Sequence, residues 1–356
     1  PFQKNMFVFF FSLVLLSLLT PLLVASGLQY PFITGKAFFF RIVIELALPF
    51  YLYLICARAE LRPRFKGNIL NIAVLIFLGI NFLSALLGVN VHRSLWGNFE
   101  RMGGVYFLAH LTALFFYIQL LGQAGEKYVK RFLQSFIAIA TLIALNGLSG
   151  WFHGPMLSID PNLPGRASST LGNPIYFAGY LLIPFFLALS LAWKEKKTWL
   201  KRTYIASALL HLFGIYIAGS RGVEMGMLFG IFIAVLSFIF LVQDRKIAYR
   251  VFALLFFTVI VSGLLFKFHD RFDPDSVLYR MTNLSGDTTS SRWIQWKMAL
   301  SGYPERPFFG TGPENYYIIA NAHFNPEMYK YDPSWFDKPH NSLIESLVTT
   351  GLFGFL

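Results

Sequence analysis

The sequence predicts an all-α protein, a polytopic bundle of transmembrane helices. Three observations carry that reading. The 356 residues are 56% hydrophobic, with a mean hydropathy of +0.56. Only 13% are charged, against about 25% in a soluble domain. The apolar runs are continuous and about 20 residues long, which suits a bilayer-spanning helix and excludes the alternating segments of about 10 residues that build a membrane β-barrel. Forty phenylalanines suit a lipid-facing surface.

Nine whole spans and one incomplete span follow from these runs. They fall at roughly 6–26, 38–56, 69–88, 104–122, 132–150, 175–193, 203–219, 223–242, 248–267 and 341–356. The first is too long for a signal-peptide core and lacks a small-residue cleavage site after it. Residues 1–356 are expected to form one integral membrane domain, cut at both ends. The chain starts at Pro1 rather than Met and stops at Leu356 within an apolar run. Cys56 stands alone, so there is no disulfide framework.

The net charge of +12 suggests nucleic acid at first sight. Its distribution argues otherwise. Arg58, Arg62, Arg64, Lys66, Lys127, Lys130, Arg131 and the basic residues at 194–202 and 245–250 all fall in one set of alternating loops. That set holds 15 Lys and Arg; the opposite short loops hold 5, namely Lys36, Arg93, Arg101, Arg166 and Arg221. Lys and Arg mark cytoplasmic loops, so the N-terminus is expected in the cytoplasm and no nucleic-acid partner is implied. The loops 89–103, 151–174 and 219–222 then lie outside, with the long segment 268–340 between spans nine and ten.

That external segment is expected to be an ordered loop subdomain with short helices. It is too long for a mere connection and rich in aromatics. Trp293, Trp296 and Leu300 recur at one face of a helix lying on the membrane or capping a cavity. Ser290 or Ser291 would cap it. The stretch Tyr303–Pro313 reads as turns, and Asp273-Pro274-Asp275 as a turn rather than a cation site.

The candidate chemical residues cluster at the external side. Arg221 sits in the tight turn Gly219-Ser220-Arg221-Gly222. Its fork suits a phosphate, and it equally suits an ion pair with Glu224 one turn on. Arg292 opens the external helix, where a solvated charge is the simpler role. Arg101 has the adjacent Glu100, and Arg166 carries the weakest signal. Arg41 and Glu45 are four apart inside span two and read as a buried intrahelical ion pair. His110 and His211 lie within spans and read as helix–helix hydrogen bonders. His340, between Pro339 and Asn341, falls at the start of the last helix. The helix dipole there favours a neutral ring, ready to act as a base; an interfacial histidine with an ordinary hydrogen bond fits as well. No Walker A, H-E-x-x-H or dinucleotide motif is present, so no cofactor and no metal is called for.

In order and spacing these stretches resemble the O-antigen ligase and polymerase family of bacterial membrane glycosyltransferases. The likeness rests on Leu171-Gly172-Asn173-Pro174, Gly219-Ser220-Arg221-Gly222, Arg292-Trp293-Ile294-Gln295-Trp296, Pro307-Phe308-Phe309-Gly310-Thr311-Gly312 and His340-Asn341 followed by Thr350-Gly351-Leu352-Phe353-Gly354. It runs from about 90 to 356. The resemblance implies a GT-C-like fold in the bacterial inner membrane, with the active site outside. It implies His340 as catalytic base, with Gly351 following after ten residues, and Arg221 and Arg292 as holders of the donor pyrophosphate. Arg101, Asn173 and Asn341 become possible substrate contacts. The donor implied is a polyprenyl-pyrophosphate-linked glycan; the acceptor is a hydroxyl on a glycan, lipid A core or protein. Family ligases often carry leucine four positions after the first arginine, and here Met225 stands there. The rival class is a lipid-linked oligosaccharide flippase or other transporter, which would show repeated halves and polar residues at the midplane.

Overall fold

A computed structural model describes residues 2–152, 166–241, 245–272, 279 and 287–356. Asp273-Pro274-Asp275 and most of the loop 151–174 lie outside them. Among the described residues the chain is all-helical, without strands. The helices are α1 Phe2–Ser17, α2 Thr34–Ala57, α3 Ile69–Leu87, α4 Val91–Trp96, α5 Val105–Ala124, α6 Glu126–Phe152, α7 Pro174–Lys194, α8 Thr198–Ala218, α9 Arg221–Leu241, α10 Arg245–Lys267, α11 Asp287–Gly302, α12 Tyr316–Ala322 and α13 Ser342–Phe355. A helix coincides with each of the ten apolar runs. Among the described residues, six segments are long and apolar enough to cross a membrane: α1 with the turn after it, α2, α3, α5, α6 and α7. By length α13, at 14 residues, falls short.

Two compact units emerge. One comprises Pro1–Thr20, Ala25–Phe132 and Ser285–Leu356; the other comprises Pro21–Val24 and Leu133–Leu284.

In the first unit α1, α2 and α5 meet through aromatic rings. Tyr117 packs on Phe10 at 5.3 Å and on Tyr51 at 5.0 Å, and its hydroxyl donates to Ile44 O. Polar pairs fix helix register, as small and polar contacts do where lipid supplies no hydrophobic drive. Asn71 on α3 and Gln119 on α5 exchange amide hydrogen bonds. His110 on α5 meets Glu45 on α2 at 3.0 Å, the interhelical role its position suggested. That contact corrects the ion pair expected within α2. Glu45 is taken by His110 and by the Tyr106 hydroxyl, while Arg41 turns to the Met102 carbonyl and sulfur. The tertiary partners on α5 and its preceding loop outcompete the neighbour one turn away.

The C-terminal part of this unit builds its own small core. Ile294, Met298 and Ala299 of α11 pack on Tyr316 and Ile319 of α12, on Met328 and on Val348 of α13. Trp293 and Leu300 stay exposed, while Trp296 on the same face is half-buried. The helix begins at Asp287, which puts Ser290 and Ser291 inside it rather than at its cap.

One irregularity ties this region together. At Gly351 α13 breaks, with φ 69°. The carbonyls of Val348 and Thr349 accept from Thr311 N and Gly312 N, and Leu352 N and Phe353 N donate to Pro307 O and Phe308 O. Ser84 of α3 donates to Phe309 O and Thr349 O. The Pro307–Gly312 stretch therefore runs against the broken helix as a backbone-paired strap. A Cβ at Gly351 would collide with the carbonyl of Phe308, so only glycine fits.

In the second unit His211 of α8 meets Thr141 of α6 at 3.2 Å, again a helix–helix bond. Gln134 reaches the Tyr204 hydroxyl. Phe185 and Ala188 of α7 pack with Ile137 and Ala208. Asn173 caps α7, its side chain accepting from Ile175 N.

The loop charge bias predicts opposite sides of the membrane for Cys56, at the end of α2, and Ser334. In a Cys56→Ser background, Ser334→Cys should label from outside with an impermeant maleimide. The native Cys56 should label only after permeabilisation. The reverse pattern overturns the orientation.

Candidate active site

The first unit gathers a charged cluster where two loops meet. The stretch 88–103 approaches 306–345 through a dense set of bonds. Val89 N donates to Thr311 O, Ser94 Oγ to Pro313 O, and Arg93 Nε to Glu314 O. Asn315, fully buried, donates to Thr311 O and Ser94 Oγ. Arg93 also lies over the Tyr317 ring, 4.2 Å from its centre. Both loops were assigned to the same side of the membrane.

His340 stands beside this seam. It is the residue before the N-cap of α13; Asn341 is the cap, its side-chain oxygen accepting from Leu343 N and Ile344 N. Capping occupies that oxygen. Trp296 of α11 donates to Pro339 O at 3.0 Å, and Phe336 meets the imidazole edge to face at 5.5 Å. The backbone of His340 is left-handed, φ 52°. Non-glycine residues rarely adopt that region, and held there they often mark functional positions. Among the described residues neither ring nitrogen has a hydrogen-bond partner, and the residue is exposed.

Charged neighbours of both signs act on the ring. Partial burial lowers its pKa first, and the charges of Arg292 and Arg101 lower it further. Asp337 pulls the other way, and Lys338 adds a small lowering. The balance holds His340 below the ordinary histidine value of 6.5, hence neutral at pH 7. Arg101 is anchored by Asp337 at 3.3 Å, and Asp337 also accepts from Asn98 Nδ2. Lys338 bridges Glu314 at 2.8 Å and Glu345 at 3.2 Å. Burial disfavours its charge, but Glu345 and Glu314 outweigh that and hold its pKa above the ordinary lysine value. Glu314 is itself left-handed, φ 64°.

Of the sequence candidates, His340, Arg292 and Arg101 thus come together. Arg221 belongs to the second unit, at the first position of α9. It follows Gly219, whose φ of 54° ends α8, and Ser220, whose carbonyl accepts from Val223 N and Glu224 N. The buried Glu224 lies within reach of the charges of both Arg221 and Arg166, and Arg166 Nε donates to Ala218 O. The second arginine at this turn, Arg166, carried little weight in the sequence. Asn173 and Asn341 both serve as helix caps.

Residues 206–356 match the family model described as O-antigen ligase. That match supports the O-antigen ligase and polymerase family. It is narrower than the motif likeness from about 90 onward, but it contains Arg221, Arg292, His340 and Gly351. No curated protein matches the chain. Over residues 206–356 the chain is thus similar to O-antigen ligases, and six described segments are long and apolar enough to cross a membrane.

Proposed function

We propose that the chain transfers a glycan from a polyprenyl-pyrophosphate donor to an acceptor hydroxyl at the outer face of the bacterial cytoplasmic membrane. His340 removes the proton from the acceptor hydroxyl as it attacks the sugar carbon. The bond to the pyrophosphate oxygen breaks, and Arg221 and Arg292 take the charge that grows there. Attack opposite the leaving group inverts the sugar carbon. The observation that carries this reading is the left-handed backbone of His340 beside Arg292 and Arg101, whose charges, after partial burial, lower the imidazole pKa. A base must be unprotonated to work, and the same cations that keep it so are the natural partners of a pyrophosphate. Asp337 orients Arg101 and offsets part of the positive field.

The arginines give an independent test. Arg221→Lys and Arg292→Lys keep the charge but lose the planar fork. Losing one charge-assisted hydrogen bond removes about 1.5–3 kcal/mol, so transfer should fall about 10- to 100-fold with normal membrane insertion. The assay is transfer from a lipid-linked glycan to lipid A core, to a second glycan and to protein, which also identifies the acceptor. Full activity in both lysine variants removes the bidentate role.

A further inference from the structure

The α2–α4–α5 corner holds a cavity of about 560 Å³ that the proposed reaction does not use. Its lining joins Arg41, Glu45, His92 and Arg93 to Phe38, Ile42, Trp96 and Phe99. Arg41 lines it while 93% buried, being only 7% exposed. The guanidinium is met by the carbonyl and sulfur of Met102 and by the faces of Tyr106 and Phe107, at 5.3 and 5.9 Å. Its Nε has no hydrogen-bond partner. The one carboxylate lining the cavity, Glu45, is held by Tyr106 and His110 rather than by Arg41. Arg93 lines the same cavity, and its Nε is spent on a backbone carbonyl, so that charge too has no direct carboxylate contact. Around them stand exposed apolar side chains: Phe38 and Ile42 on α2, Trp96 on α4, and Phe99, which is 89% exposed.

A buried cation whose donors are incompletely used is costly unless an anion or a polar ligand completes it. Large apolar side chains lining such a cavity suit a chain that continues into lipid. We infer that this cavity binds a phosphate-bearing lipid, with the phosphate near Arg41 and Arg93 and the tail leaving over Phe38 and Ile42. It is a second lipid site, separate from the residues assigned to the donor pyrophosphate, though Asn98 borders both it and Asp337.

The test uses the full chain purified in detergent, with binding read by native mass spectrometry. The probes are farnesyl phosphate, a short-chain phosphatidylglycerol, and farnesol as the neutral control. Both phosphates should bind, farnesol at least tenfold more weakly, and the tighter of the two phosphates identifies the lipid class. Arg41→Gln should weaken phosphate binding at least tenfold. Ile42→Asp, at an exposed position of the lining, should do the same without touching the buried contacts, which guards against misfolding of the first variant. Equal binding of farnesol, or unchanged binding in both variants, overturns the site. So does a loss confined to Arg292→Lys, which would place the probe at the proposed donor residues. No glycan turns over in this measurement, so it stands or falls apart from the proposed transfer reaction.

Discussion

Replacing His340 with alanine should reduce glycan transfer by about 100- to 10,000-fold, the usual contribution of a general base. Donor binding should survive, because Arg292 and Arg221 remain. The pH profile gives the sharper reading. The pKa of His340 is lowered by partial burial, then by Arg292 and Arg101, and raised by Asp337. A base works when unprotonated, so kcat/KM should be flat above the pKa and fall as pH drops through it. The acid limb should therefore lie below the ordinary value of 6.5, not above. Asp337→Asn removes the group that favours imidazolium and should move the limb further to the acid side. An alanine variant with near-normal turnover and an unchanged limb would remove the base and most of the mechanism with it.

The two components of this site were not equally legible. His340 stood out because it sits where a polar loop meets an apolar run, whereas Arg292 read as a solvated charge until the family resemblance singled it out. The helix positions followed from composition, since about 20 apolar residues leave few alternatives in a bilayer. What the sequence hid are the long-range partners. Arg93 and Glu314 lie 221 positions apart, as do Ser94 and Asn315. No local pattern announces such a pairing. Asp337 and Lys338 were closer to view, directly before Pro339 and His340, yet their value depends on Asn98, Arg101, Glu314 and Glu345, which the fold supplies. The Arg41–Glu45 spacing misled for the same reason. A spacing of four residues allows an ion pair, but Met102, Tyr106 and His110 offered both side chains better-placed partners. The cap expected at Ser290 or Ser291 failed because the helix starts earlier, at Asp287.

Gly351, eleven positions after His340, has a structural reason in the fold that the sequence did not show. The resemblance gave it only as the glycine that follows the histidine; in the fold it is the point at which α13 breaks and receives the Pro307–Gly312 strap. Gly351→Ala should therefore destabilise the protein without touching a reacting group. A left-handed backbone costs an L-residue about 1–2 kcal/mol. Overpacking typically adds about 1–3 kcal/mol, because the new Cβ meets the Phe308 carbonyl and the Phe309 amide, backbone that cannot swing aside. Leu352 N and Phe353 N, which bond Pro307 O and Phe308 O, would be displaced with it. The expected loss is about 2–5 kcal/mol, read as a lowered midpoint of thermal unfolding in detergent. Gly79→Ala on α3 is the matched control, since a Cβ there meets nothing within 4 Å and helix propensity favours alanine. Because α13 carries Asn341 as its cap and His340 immediately before it, transfer should fall together with stability in Gly351→Ala. In His340→Ala it should fall alone. A Gly351→Ala protein as stable as Gly79→Ala would refute the strap as the reason for that glycine.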